Sequence, residues 1–247
     1  MTARTALVVR AEFAREGPLL PGLAGGVIRV PEATRIGLAL LRDLIEKAHR
    51  CEGMEPLVCY FPPDRRGEVE GAIGGLPVWS EPLAGPNPSE RAAGPLRHLL
   101  DERAYRAAVM IGPGMAHVPR QRLLDAVHRL STASDVVLAD SNKDPLVFVG
   151  VRGQLSPMLF EDGLTIDERT EGVRVGQLSL PRPIVTQADL ATAVFDLRAE
   201  LATRHISHDD VPAHTLELLA ALGLHAAMGE GQAPVLRRSR DSRRSSS

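Results

Sequence analysis

The sequence predicts a three-layer α/β domain with a mainly parallel central sheet. Three observations lead there: short runs that are apolar along their whole length, helix-periodic segments alternating with them, and loops marked by glycine and proline. Continuous apolar runs suit strands covered on both faces, the situation of a parallel sheet between helix layers.

TALVV, residues 5–9, reads as the first strand, followed by the long punctuated loop RAEFAREGPLLPGLAGG. PEATRIGLALLRDLIEKAHRCEG reads as a helix: Pro31 and Glu32 suit its first turn, and Ile36, Leu40, Leu41, Leu44 and Ile45 recur at helical spacing. Gly53 fits its exit. EPLVCYFPP is a strand stopped by two prolines, RRGEVEGAIGG a short helix and LPVWSE a third strand. Residues 81–95 carry four prolines and two glycines and are expected to be mostly loop. GPLRHLLDERAY follows as a helix, RAAVMIG as a strand and PRQRLLDAVHRLST as an amphipathic helix. SDVVLAD and PLVFVGVR complete the central run.

Beyond Gly150 the pattern thins. GVRVGQLSLPRPIV contains a strand and TQADLATAVFDLRAELATR a helix. DDVPAHTLELLAALG is a second helix, with Asp210 placed to cap it, Pro212 in its first turn and Gly223 after its end. The expected organisation is an α/β domain over 1–200, a helical extension over 201–232 and a disordered basic, serine-rich tail over 233–247.

The 247 residues include 29 basic and 31 acidic side chains, so no general field favours nucleic acid or an anionic membrane. The dense basic patch RRSRDSRRSSS, five arginines in eleven residues, lacks any apolar residue and reads as a solvated tail. Scarce aromatics argue against base-stacking platforms. Cys51 and Cys59 make neither a disulfide framework nor a zinc spacing. Without a signal-peptide pattern or an apolar run of about 18 residues, a cytoplasmic protein acting on a small molecule is expected.

Residues 107–160, AAVMIGPGMAHVPRQRLLDAVHRLSTASDVVLADSNKDPLVFVGVRGQLSPMLF, carry a family resemblance. The order of strand, helix, strand, acidic turn and strand closing on Gly150 resembles the GT-A superfamily of nucleotide-sugar and nucleotidyl transferases. More closely it resembles the rSAM/selenodomain-associated transferases, over roughly residues 5–200. Family members have Gly-Ser/Thr-Asp-x-Pro where this chain has Ile111 and then GPGMAHVP, and a Glu-Asp-Gly-Gly-Tyr turn where Asp144 falls. RPIVTQADLATA is similar to a later acidic element of the family.

The resemblance implies a nucleotide-dependent transferase with Mg²⁺ or Mn²⁺ on the donor diphosphate. The departures bear on that directly. Gly114 or Met115 stands where a cation-holding carboxylate is needed, because a hard cation requires several oxygen ligands at one point. Ile184 and Thr186 occupy early positions of the second acidic element, which keeps Asp189. The family's basic first loop here reads Pro18, Leu19, Leu20 and Pro21, with only Arg10 kept.

Two functions stay open on these residues. One is a glycosyl- or nucleotidyl-transferase with a reduced acidic set of Asp140, Asp144 and Asp189 and an eroded metal and diphosphate site. The other is a degenerate member whose cleft, lined by Leu19, Leu20, Met115 and Phe148, binds or transforms an apolar biosynthetic intermediate. Asp144, Asp140 and His117 are the candidate catalytic residues, His117 as general acid or base. Arg10 and Lys143 join the four apolar residues as candidate substrate contacts.

Other clusters have plainer readings. Gly25 and Gly26 in AGG could let backbone approach a ligand, or form a turn. His205, His208, Asp209, Asp210 and His214 have a metal-like composition, but a helix start accounts for Asp210 and Pro212. No metal site is therefore assigned. TLELLAALGLHAAM suits a core-facing or a homodimer-facing helix.

Overall fold

A computed structural model describes residues 4–14, 16–103, 105–139, 147–154, 156–161, 164, 166–203, 207–231 and 233–239, with backbone alone at 157, 166 and 208. The elements run β1 Thr5–Glu12, α1 Val30–His49, β2 Met54–Phe61, α2 Arg66–Ile73, β3 Trp79–Pro82, α3 Pro88–Arg97, β4 Ala107–Ile111 and α4 Arg120–Thr132. They continue β5 Val136–Ala139, β6 Phe148–Arg152, α5 Ile166–Arg169, β7 Val175–Leu178, α6 Gln187–Thr203, α7 Ala213–Ala221, β8 Leu224–Met228 and β9 Pro234–Arg238.

Seven strands form one sheet in the order β3-β2-β1-β4-β6-β5-β7. Only β6 runs against its neighbours, between β4 and β5; the other pairs are parallel. Side-chain alternation along β1 divides the core in two. Leu7, Val9 and Ala11 meet α1, α4, α6 and α7, whereas Ala6 and Val8 meet α3 and the segment around Leu159 and Phe160. Helix, sheet and helix thus make the three expected layers, with the mainly parallel sheet between them.

The expected loop at 81–95 is corrected. α3 begins inside it at Pro88, because the Asn87 side chain accepts the Glu90 amide at 2.8 Å and Pro88 occupies the first turn. The expected cap of the last helix is also corrected. Asp210 instead accepts the Arg120 amide at 2.7 Å, capping α4. α7 is capped from α1, where Asp43 accepts the His214 and Thr215 amides at 2.9 Å each and the Thr215 hydroxyl at 2.6 Å.

The chain does not become a tail at residue 233. β8 and β9 pair as an antiparallel hairpin, and Arg238 donates to the Val27 carbonyl and to Glu32, both at 2.7 Å. Glu32 also accepts the Arg29 amide at 2.9 Å at the start of α1. The C-terminal elements are thereby fastened to the first helix. Residues 240–247 lie outside the described residues.

Candidate active site

β1 continues three residues past TALVV, so Arg10 and Glu12 are strand residues two apart and point to one side. Arg10 donates to Glu12 through Nε at 3.0 Å and through a terminal nitrogen at 2.5 Å. Arg91, on α3, takes the other carboxylate oxygen, its Nε at 3.0 Å, and lies 4.1 Å over the Phe61 ring. One carboxylate thus holds two guanidinium groups.

Arg10 and Glu12 line a 200 Å³ cleft that also contains Leu19, Leu20, Gly112–Met115, Val147 and Ile184. Its place follows from topology. β1 leads leftward to β2 and β3, and the chain then returns to β4 on the other side of β1. The β1/β4 boundary is the point where the strand order reverses, and open α/β sheets bind ligands beyond the carboxyl ends of their strands at such a point.

The segment between β7 and α6 crosses this cleft. The Ile184 amide donates to the Gly114 carbonyl at 2.8 Å. A Cβ on Gly114 would collide with the Ile184 carbonyl oxygen, and one on Gly22 with that of Val185. Position 114 therefore has no room for the carboxylate that the resemblance would put there. Gln187, the first residue of α6, ties the Leu23 and Gly25 carbonyls to the same segment.

Mg²⁺ or Mn²⁺ does not fit the described side chains of this cleft. Glu12 is its one described carboxylate, and both its oxygens are held by arginines. Asp189 is engaged elsewhere: its Oδ2 accepts the Val185 and Thr186 amides at 3.2 and 2.8 Å and the Thr186 hydroxyl at 2.7 Å. That is the capping arrangement for the start of α6.

His117 lies on the other side of the crossing segment. It is 9% exposed and borders a second cleft, of 570 Å³, between the loop after β4, residues 179–182 and α6. Burial, and then the Lys47 charge, push its imidazole down to about 4, against the opposing pull of the Gly114 and Arg182 carbonyls. The ring is neutral at pH 7, and its Nδ1 has no hydrogen-bond partner among the described residues. Lys47, 1% exposed, reaches from α1 to donate to the Ala116 and Val118 carbonyls at 2.7 and 2.6 Å, so it shapes the backbone on both sides of His117.

Arg10, Leu19, Leu20 and Met115 line one cleft, with Leu19 and Met115 nearly covered. Phe148 is corrected: it is fully buried, paired with Ile111 in the sheet, and its neighbour Val147 lines the cleft instead. Asp140, Lys143 and Asp144 lie outside the described residues, as does His205. His214 pairs with Glu46 at 2.8 Å, and no trio of metal-ligating side chains occurs among the described residues. Gly25 and Gly26 form a tight turn closed onto Ile28. Sequence reasoning missed Glu12 and Arg91. An Arg-x-Glu at a strand end signals the first, but nothing local links the second to it.

The fold is similar to that of solved structures described as nucleotide-diphospho-sugar transferases and cytidylyltransferases. A protein from Desulfovibrio desulfuricans G20 described as a nucleotide-diphospho-sugar transferase superimposes with a TM-score of 0.70 at 18% identity, over 88% of this chain and 95% of its own. A cytidylyltransferase from Leptospira borgpetersenii gives 0.56 at 12%, over 88% and 94%. A 4-diphosphocytidyl-2C-methyl-D-erythritol synthase from Anaerococcus prevotii gives 0.55 at 11%, over 79% and 96%. At these identities the likeness establishes the fold. No protein-family model matches the chain, and no curated protein matches it in sequence. No helix among the described residues is long and apolar enough to cross a membrane.

Proposed function

We propose that the protein is a GT-A-type transferase, glycosyl or nucleotidyl, which takes a nucleotide-activated small molecule in the switch-point cleft without the usual aspartate-held cation at position 114. The observation that carries this reading is the cleft at the β1/β4 reversal, lined by Arg10, which Glu12 holds in place. Arginines suit phosphate because their planar donors match its oxygens in pairs. The cleft is smaller than the roughly 300–1,000 Å³ of whole-ligand pockets, which suits it to one end of a donor. The nearer resemblance to rSAM/selenodomain-associated transferases belongs to this proposal, as do roles for Asp140, Lys143 and Asp144 in the turn after β5.

In this reading the chain's contribution is positional. Glu12 fixes the two guanidinium groups, the crossing segment closes one side of the cleft, and the apolar wall excludes water from the reacting end. His117 lies beyond the crossing segment and does not line the donor cleft, so no proton-transfer step is assigned to it there.

A second reading rests on that apolar wall. Leu19, Leu20, Met115, Val147, Ile184 and Val185 suit an apolar biosynthetic intermediate. One thermal-shift and calorimetric panel separates the two. Nucleoside triphosphates and nucleoside diphosphate sugars, each with and without Mg²⁺ or Mn²⁺, should stabilise the protein, and Arg10→Ala should weaken that binding about ten-fold. No response to any donor, with stabilisation by apolar compounds, would replace the first reading with the second.

A further inference from the structure

The second cleft has walls of opposite sign. Asp189, Thr192, Asp196 and Glu200 stand on one face of α6, at spacings of three and four residues. Arg182, on the crossing segment, and Arg122, near the start of α4, face them from other elements. Among the described residues no ion pair joins either arginine to Asp196 or Glu200; Arg122 leans on Asp125 at 3.3 Å instead. Charges that face one another without meeting leave a gap for a molecule carrying both signs. The floor between them is His117 with the buried apolar residues Leu180, Ala193 and Leu197.

We propose that this cleft binds a small zwitterion of the amino-acid type, its ammonium toward Asp196 and Glu200, its carboxylate toward Arg182 and Arg122, and His117 beneath it. A simple anion would face three carboxylates on α6, and a simple cation would face two guanidinium groups. A molecule with both charges avoids each conflict. The cleft, at 570 Å³, is within the range of small-molecule sites. The neutral imidazole that borders the cleft puts no positive charge against an incoming ammonium. The charged rim is exposed, so binding is weak and sensitive to salt.

The site is separate from the donor cleft, and its test uses no nucleotide. Calorimetry and saturation-transfer NMR on the full chain would compare glycine, serine, glutamate, lysine and glycylglycine with ethanolamine, acetate and inorganic phosphate. At least one zwitterion should bind more tightly than ethanolamine, acetate and phosphate. The exposed-site variants Arg182→Gln and the double Asp196→Asn, Glu200→Gln should each weaken it about five-fold, and Arg10→Ala should leave it unchanged. The proposal is overturned if no zwitterion binds, if ethanolamine, acetate or phosphate binds as well, or if binding survives both rim variants. Loss of nucleotide binding in the donor panel would leave this result standing, and the reverse also holds.

Discussion

Lys47 is among the largest fully buried side chains, and its ammonium is satisfied by two backbone carbonyls. Burial pushes its pKa down to about 8, with the Asp210 and Asp43 charges pulling the other way. The charged form is therefore costly, yet it fixes the loop that carries His117. Lys47→Met keeps the volume and removes the desolvation cost, but leaves the Ala116 and Val118 carbonyls without their donor. We expect a net loss of about 1–3 kcal/mol, since two lost bonds outweigh one relieved charge. Thermal unfolding would register about 2–4 °C per kcal/mol, and an unchanged midpoint would refute this role for Lys47.

Between elements, the crossing segment from β7 to α6 separates the two clefts, and its closeness to Gly114 is the constraint that governs both. Gly114→Ala would drive a methyl group into the Ile184 carbonyl, whereas a Cβ on Gly112 meets nothing within 4 Å. Overpacking of this kind costs about 1–3 kcal/mol. Denaturant midpoints should fall for Gly114→Ala and hold for Gly112→Ala; equal midpoints would mean that the segment yields freely. The caps show a similar exchange between elements. Asp210, placed in sequence to start α7, starts α4, and Asp43 from the middle of α1 starts α7. The Asn87-Pro88-Ser89-Glu90 cap, by contrast, was fully legible as a local motif and was obscured only by the prolines around it.

For the whole molecule, acid stability falls in two windows. His117 has a folded pKa of about 4, below the usual 6.5, so the unfolded chain binds the proton first. Its contribution is complete above pH 6.5 and is lost as pH falls toward 4. For Glu32, burial favours the neutral form, but the Arg29 side chain and amide and the Arg238 guanidinium outweigh it and hold the carboxyl at about 2. Its contribution is complete above the usual 4.5 and is lost between there and about 2. Unfolding free energy measured against pH should show both declines. Glu32→Gln should reduce the lower one, to which Asp135 and Glu46 also contribute, and should loosen the β8–β9 hairpin through Arg238; a curve that stays flat from pH 7 to 4 would contradict the His117 window.

Alternation of apolar runs with amphipathic helices was enough, by itself, to determine the three layers and the mainly parallel sheet, because both signals are local and repeat along the chain. The same holds for the first helix. Only the tertiary structure decided that Phe148 is core, that Arg91 meets Glu12, that Asp43 and Asp210 cap helices far from them in sequence, and that residues 234–238 form a strand. Each of these depends on which segments become neighbours across the fold, and a contact between residues 12 and 91 leaves no periodic trace in the sequence around either one.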